Sequence, residues 1–168
     1  MKQITTVLLI IAFLNVPIQR SYRGVVPLES TRKDVEELLG KPTDRYREIY
    51  NLRDEIVTVV YSTHGCTAAQ TVEGWPIPPN EGWNVPADTV LFVRVTLRKQ
   101  VPLKSLEIDL KTFKRIRGDA DVPSHFKYVD EDAGFTIDLN GDGTFETVRG
   151  FTYGPSAKYN HLRCVESK

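Results

Sequence analysis

The 168-residue chain lacks long hydrophobic runs, an excess of either charge and any cysteine-rich stretch. Its longest apolar run, residues 7–14, has eight residues, whereas a transmembrane helix needs about 20. The 22 basic and 22 acidic residues balance, and no basic run is present, which excludes a general electrostatic attachment to nucleic acid. Two cysteines are too few for a disulfide-dense scaffold or a four-thiolate zinc site.

Residues 1–20 have the pattern of a secretory signal peptide. Lys2 precedes the apolar run, and polar Gln19 and Arg20 follow it, which is the order of regions in such a signal. No A-x-A pattern marks the cleavage site, so a buried strand or an uncleaved anchor stays open as an alternative. Without these residues the chain has 22 − 2 = 20 basic and 22 acidic residues, a net charge of −2. The prediction is an exported protein that contacts a membrane only if the leader is retained.

Export changes how the two cysteines are interpreted. In an oxidising compartment a pair of thiols usually forms a disulfide, and we predict one between Cys66 and Cys164. The alternative is a catalytic Cys66 with His64 as its base, because alternate residues of an extended segment share a face. No residue nearby is marked as the third group that would orient such a base.

The sequence predicts one helix, over residues 31–39. Thr31 and Asp34 have the spacing of a capping box at its start, and Gly40 followed by Pro42 is a typical stop. The apolar stripe of this helix consists of Val35, Leu38 and Leu39. A single stripe predicts that one side of the helix packs against the rest of the domain.

After the helix, β-branched and alternating patterns predict strands. The predicted strands are residues 45–51, 55–62, 89–98, 106–110, 113–117, 126–130, 134–139 and 144–153. In the longest one, the predicted core face carries Leu91, Val93, Val95 and Leu97, and the other face carries Val90, Phe92, Arg94, Thr96 and Arg98. With no βαβ alternation, the prediction is a single α+β domain over residues 24–168. In it, the N-terminal helix packs on a mostly antiparallel sheet of about six to eight strands.

The helix motif resembles a known family. Residues 29–42 read ESTRKDVEELLGKP and precede a predicted hairpin, which is similar to the SmpA/OmlA–BamE-type module over about residues 24–62. The matching positions are Thr31, Val35, Leu39, Gly40 and Pro42. The resemblance implies an exported, non-enzymatic adaptor that binds other proteins. Because this sequence has no lipobox cysteine, the family's role in assembling outer-membrane proteins is not carried over.

Residues 63–88 form a long stretch without a convincing helix or strand, and they contain both tryptophans. A connection of this length is usually functional. One interpretation is a loop across the sheet with its tryptophans in the core. The other is a partner-binding loop, because tryptophan is enriched at binding hot spots. We name Trp75, Ile77 and Trp83 as the candidate partner-binding residues.

Residues 138–146 read DLNGDGTFE, which resembles the start of a calcium loop. Asp138, Asn140 and Asp142 provide oxygens at alternate positions. Position 12, where a bidentate glutamate belongs, is Arg149, so a complete EF-hand is excluded. A weak Ca²⁺ site and a plain hairpin turn, which favours Asn, Asp and Gly, both stay open.

These patterns together predict an exported, non-catalytic module that binds another envelope or secreted protein. No cofactor is expected apart from a weakly bound Ca²⁺. One alternative is a small secreted hydrolase with its site under loop 63–88, and another is a calcium-stabilised structural domain. The histidines, at positions 64, 125 and 161, are too far apart in sequence for zinc spacing.

Overall fold

The computed structural model describes residues 20–63, 65–66, 82–117, 125–141 and 145–164, and the backbone of residues 70–72 and 75–77. The helix and strands are α1 (Arg32–Leu39), β1 (Ile49–Asn51), β2 (Glu55–Tyr61), β3 (Gln70–Val72), β4 (Trp75–Ile77), β5 (Val90–Pro102), β6 (Lys114–Arg117), β7 (His125–Asp130), β8 (Phe135–Asn140) and β9 (Thr147–Tyr153). Two short 3-10 helices cover Leu103–Ser105 and Ala157–Leu162.

Seven of the strands form one antiparallel sheet with the order β1-β2-β5-β9-β8-β7-β6. The predicted antiparallel sheet of six to eight strands is therefore confirmed, and the described part of the chain is mostly β. β1 and β2 form the predicted hairpin across residues 52–54. β7, β8 and β9 form the predicted meander. Within the described residues, no helix is long and apolar enough to cross a membrane.

Helix α1 begins and ends where the sequence predicts. The side chain of Thr31 accepts a hydrogen bond from the Asp34 backbone, and Asp34 accepts one from the Thr31 backbone, so the capping box is complete. Gly40 ends the helix with a φ of 81°, a conformation that glycine adopts without strain. Val35 is fully buried in a cluster that includes Val57 of β2, whereas Leu38 is 52% exposed. Leu39 packs half-buried against the same cluster, so the predicted stripe is confirmed at Val35 and Leu39 and is wrong at Leu38.

One face of the sheet carries most of the described core. The core has two large hydrophobic clusters on this face, and Phe151 and Tyr153 of β9 pack against both of them. The buried members on the strands are Tyr50, Val57, Val59, Tyr61, Val90, Val93, Val95, Phe135, Ile137, Leu139 and Val148. A third cluster contains Leu28, Trp83, Val85 and Leu91.

A bulge corrects the face assignment at the start of β5. The register places Val60 opposite Phe92 but Tyr61 opposite Val90, so Leu91 is an extra residue. An extra residue reverses the alternation of side chains beyond it. Val90 therefore packs in the main core, and Leu91 packs in the third cluster.

Three other predicted segments differ from the structure. Residues 45–48 form a turn, because the Asp44 side chain accepts hydrogen bonds from two backbone amides within it. Residues 106–110 form no strand, and their alternating burial arises because Leu106, Ile108 and Leu110 pack on the core. Within residues 63–88, β3 and β4 pair as a short ribbon that the sequence did not indicate.

Candidate functional site

The side of the sheet opposite the main core presents polar side chains in register. Thr58 of β2 lies opposite Arg94 of β5, and Arg94 lies opposite Thr152 of β9. Thr152 in turn faces Thr136 of β8, which faces Val129 of β7. These five residues are half-buried or exposed. We call this side of the sheet the open face.

The next row across the open face is interrupted by a glycine. Gly150 of β9 lies opposite Thr96 on one side and Asp138 on the other. An added Cβ at Gly150 would collide with the carbonyl oxygen of Val95, so only glycine lets the strands approach this closely. Gly150 also lines a depression in the open face.

A β-bulge places Arg149 beside this depression. Asp138 pairs with Gly150, but Leu139 pairs with Val148, so Arg149 is the extra residue of β9. Val148 is fully buried in the core while Arg149 is half-buried and lines the depression. Without the bulge, strict alternation from Val148 would place residue 150 on the core side. Because of the bulge, Arg149 and Gly150 both lie on the open face.

The depression over Gly150 has a volume of about 290 Å³. It is lined by Arg94, Val95, Thr96, His125, Lys127, Asp138, Arg149, Gly150 and Thr152. A second depression of about 340 Å³ continues along the same face. It is lined by Thr58, Val60, Phe92, Arg94, Ile116, Lys127, Val129, Thr136 and Thr152. The open face therefore joins a polar, basic region to a more apolar one.

Positive charge exceeds negative charge in the depression over Gly150. The Asp138 carboxylate lies 3.7 Å from Lys127 Nζ and 3.7 Å from His125 Nε2. Arg94 and Arg149 form no ion pair with any carboxylate in the described part of the chain. With His125 neutral, three cations and one carboxylate leave a net charge of 3 − 1 = +2.

The structure describes only two of the three predicted calcium ligands. Asp138 and Asn140 are alternate residues near the end of β8, and Asp142 lies outside the described residues. The described residues contain no group of three or more His, Cys, Asp or Glu side chains that could hold a metal ion. Because Asp138 faces Lys127, it is already engaged by a cation of the protein itself.

Trp83 is a core residue and not the exposed partner anchor named among the candidates. Its side chain is 3% exposed and packs with Leu28, Val85 and Leu91. The guanidinium of Arg163 covers its ring at 4.6 Å from the ring centre. A ring enclosed in this way has almost no surface left for a partner. Of the two interpretations of the long loop, the core interpretation holds at this position.

The other two loop candidates lie on β4. Trp75 and Ile77 are its first and last residues, and both pair with β3 through their backbones. Their side chains lie outside the described part of the structure, as does all of His64. Partner binding by Trp75 and Ile77 therefore stays a prediction.

The predicted disulfide is confirmed. Cys66 and Cys164 are bonded, with their Cα atoms 5.6 Å apart and 98 positions apart in sequence. Close to it, the amide of Cys164 donates to the carbonyl of Gly82, and Trp83 forms a β-bridge with Arg163. The end of loop 63–88 and the C-terminal segment are thus fastened together. Because the bond is formed, Cys66 is not a free thiol nucleophile.

Buried tyrosines stabilise the covered side of the sheet. Tyr22 donates a 2.5 Å hydrogen bond to Glu55, and burial together with this carboxylate raises the pKa of Tyr22 well above its ordinary value. Burial also raises the pKa of Tyr61, whose hydroxyl lies 3.3 Å from that of Tyr50. The guanidinium of Arg32 lies over the Tyr61 ring at 4.1 Å from its centre. These phenols are structural groups that stay protonated at neutral pH.

The largest depression among those described here lies on another part of the surface. It has a volume of about 560 Å³ and a mostly aliphatic lining. Its lining residues are Pro102, Leu103, Lys104, Leu106, Ile108, Leu110, Phe145, Glu146 and Thr147. The carboxylate of Glu146 is held by Arg115 at 2.9 Å. The lining therefore combines apolar side chains with a carboxylate that is already paired.

Comparison of the chain with protein-family models, with curated proteins and with solved structures found no match in any of the three.

The composition of loop 63–88 favours a different surface from the open face of the sheet. The predicted alternation of residues 89–98 does place Arg94 and Thr96 on the non-core face of the strand, and this was the available signal. This alternation does not indicate that Lys127 and Arg149 lie beside Arg94 and Thr96. That arrangement depends on the register of four strands and on the bulge at Arg149.

Proposed function

We propose that the protein is an exported, non-catalytic module that binds another envelope or secreted protein through the open face of its sheet. The observation that carries the proposal is the row Thr58, Arg94, Thr152, Thr136 and Val129, which crosses five adjacent strands. Neighbouring strands lie about 4.8 Å apart, so this row extends over about 19 Å. Such a width suits a protein surface better than a small ligand.

The side chains of the open face also favour protein recognition. Arginine and aromatic residues are enriched in interfaces, and Arg94 and Phe92 lie on the same strand with Thr hydroxyls around them. Thr58, Thr136 and Thr152 are β-branched, so they lose little side-chain freedom when a partner covers them. This surface replaces Trp83 as the main candidate for contact.

The disulfide and the sequence support the exported location. A stable disulfide is favoured in oxidising compartments and is rare in the cytosol, and Cys66 and Cys164 form one. The signal-like residues 1–20 point to the same compartment. The resemblance of residues 24–62 to the BamE-type module, in which the helix packs on the sheet, agrees with an adaptor role.

Photo-crosslinking tests this proposal. Benzoylphenylalanine would be placed at Thr58 or Thr136 on the open face, and at Tyr46 as a control, in protein produced by its native host. Tyr46 is 96% exposed and lies in the turn at residues 45–48. We expect both open-face positions, and not Tyr46, to crosslink to the same envelope or secreted protein, identified by mass spectrometry.

A blocking substitution provides the second arm. Thr152→Trp would put a bulky ring in the centre of the row and should abolish the crosslink, whereas Tyr46→Trp should leave it unchanged. If crosslinks from Thr58 and Thr136 go to unrelated proteins, or persist in Thr152→Trp, the open face is not the binding surface.

A further inference from the structure

We propose that the open face binds an acidic segment of the partner, whose carboxylates pair with Arg94 and Arg149 over Gly150. This inference rests on the function proposed above and adds the chemistry of the partner. The basic depression over Gly150 and an acidic segment have complementary charge.

The two arginines are available for such a contact. Neither makes an ion pair with a described carboxylate, although the chain as a whole is electrically neutral. A guanidinium presents a planar fork of N–H donors that matches the two oxygens of a carboxylate. An acidic side chain seated between Arg94 and Arg149 would therefore find donors already directed at the depression.

The bulge indicates that Arg149 is placed there for a purpose other than sheet pairing. A bulge interrupts the ladder and leaves one residue unpaired, and bulges are often found where a strand redirects a side chain for function. Here the bulge residue is Arg149, and the following residue is Gly150, whose backbone lines the depression beside Arg149. The two features together form a basic depression instead of a flat row of side chains.

Asp138 limits the positive charge of the depression. It lies in the same depression and keeps the net charge at +2, with Lys127 3.7 Å away. The remaining charge of +2 is matched by two carboxylates of an acidic segment. The hydroxyls of Thr96 and Thr152 can donate to the second oxygen of a carboxylate.

The second depression of the open face favours a partner segment that has apolar residues next to its acidic ones. Val60, Phe92 and Ile116 line it, and Ile116 is 46% exposed. An acidic segment with aliphatic side chains beside its carboxylates fits both parts of the open face.

The test uses a blocked peptide, Glu-Glu-Leu-Glu-Glu-Leu, and its matched control, Gln-Gln-Leu-Gln-Gln-Leu. Binding to the full folded protein would be followed by NMR, through the backbone amides of Arg94, Gly150 and Thr152. We expect the glutamate peptide to shift these amides and the glutamine peptide to leave them in place. The affinity should fall as salt is raised from about 50 to about 300 mM, because exposed charges are screened.

Charge variants locate the contact. Arg94→Gln and Arg149→Gln should each raise Kd by about three- to tenfold, the loss of one charge-assisted contact at a partly exposed site. Asp138→Asn should lower Kd by about twofold or more, because it removes the repelling charge. Arg53→Gln is the matched control, since Arg53 is exposed in the β1–β2 connection and makes no ion pair in the described structure. It should leave Kd unchanged.

Three results would overturn the inference. The first is no shift with the glutamate peptide, the second is equal weakening by Arg53→Gln, and the third is binding of a heparin oligosaccharide at the same amides without binding of the peptide. If crosslinking from Thr58 and Thr136 succeeds but the two arginine variants bind normally, only the acidic-partner inference fails. If the crosslinks themselves are absent, the proposed function fails.

Discussion

Replacing Trp83 with alanine tests whether loop 63–88 is part of the core at this point. The ring is 3% exposed, lies among Leu28, Val85 and Leu91, and is covered by Arg163. The variant leaves the disulfide in place, so any loss of stability comes from packing and not from release of the loop.

The expected loss is large. A buried tryptophan hides about 200 Å², and at about 25 cal/mol per Å² this corresponds to about 5 kcal/mol. Truncation of a buried aromatic ring to alanine costs about 3–5 kcal/mol in practice. The contact with the Arg163 guanidinium contributes about 0.5–1 kcal/mol of that total. At about 3 °C per kcal/mol for a domain of this size, Tm should fall by about 9–15 °C.

The assay is urea denaturation followed by circular dichroism, with the fluorescence of the remaining Trp75 as a second probe. Coincident transitions would justify a two-state free energy. The control is Tyr46→Ala, which removes an aromatic ring that is 96% exposed and should change the free energy by less than about 0.5 kcal/mol. A loss below about 1 kcal/mol in Trp83→Ala would refute the core assignment and restore Trp83 as a surface candidate.

The remaining predictions concern the disulfide, the buried phenols and the calcium motif. Replacing Cys66 and Cys164 together with alanine should lower the free energy of unfolding by up to about 4.7 kcal/mol, which is the chain-entropy value for a loop of about 100 residues. Reduction of the disulfide in the wild-type protein should have the same effect. Unchanged urea midpoints would contradict this prediction. Burial raises the pKa values of Tyr22 and Tyr61 above 10.0. The stability that these two phenols contribute should therefore be constant below about pH 10 and then fall by about 1.4 kcal/mol per pH unit for each phenol, until the pH reaches the folded-state pKa. Urea melts at about pH 9 and about pH 11 measure this fall, and equal midpoints would show that these phenols ionise as freely in the folded protein as in the unfolded chain. Because Asp138 already faces Lys127, millimolar Ca²⁺ should leave Tm unchanged, and a rise of several degrees would establish the cation turn instead.

Local patterns predicted much of the fold, for reasons visible in single elements. The helix could be predicted because its cap, Thr31 with Asp34, and its stop at Gly40 act within a few residues of each other. The meander of β7, β8 and β9 could be predicted because short turns follow alternating segments. The pairing of Cys66 with Cys164 followed from having only two cysteines in a chain expected to be exported.

Features that depend on non-local contacts differ from what the local pattern predicts. The residues 106–110 alternate like a strand because they pack on the core, and alternation alone cannot distinguish packing from pairing. Periodicity predicts Leu91 in the main core because it cannot reveal the bulge that shifts this residue to the third cluster. The composition of loop 63–88 drew attention to Trp83 as a surface residue, although a tryptophan in a loop is equally suited to fill a core.

The sequence by itself determined the helix and its boundaries, the antiparallel character of the sheet and the cysteine pair, since each depends on local chemistry or on a count. The tertiary structure alone decided which side chains share the open face. Arg94, Lys127 and Arg149 come from three strands that are far apart in sequence, and they meet because strand order, register and one bulge bring them to a single depression over Gly150. A one-residue change of register would send each side chain to the opposite face, so no pattern within one strand could have assembled this surface.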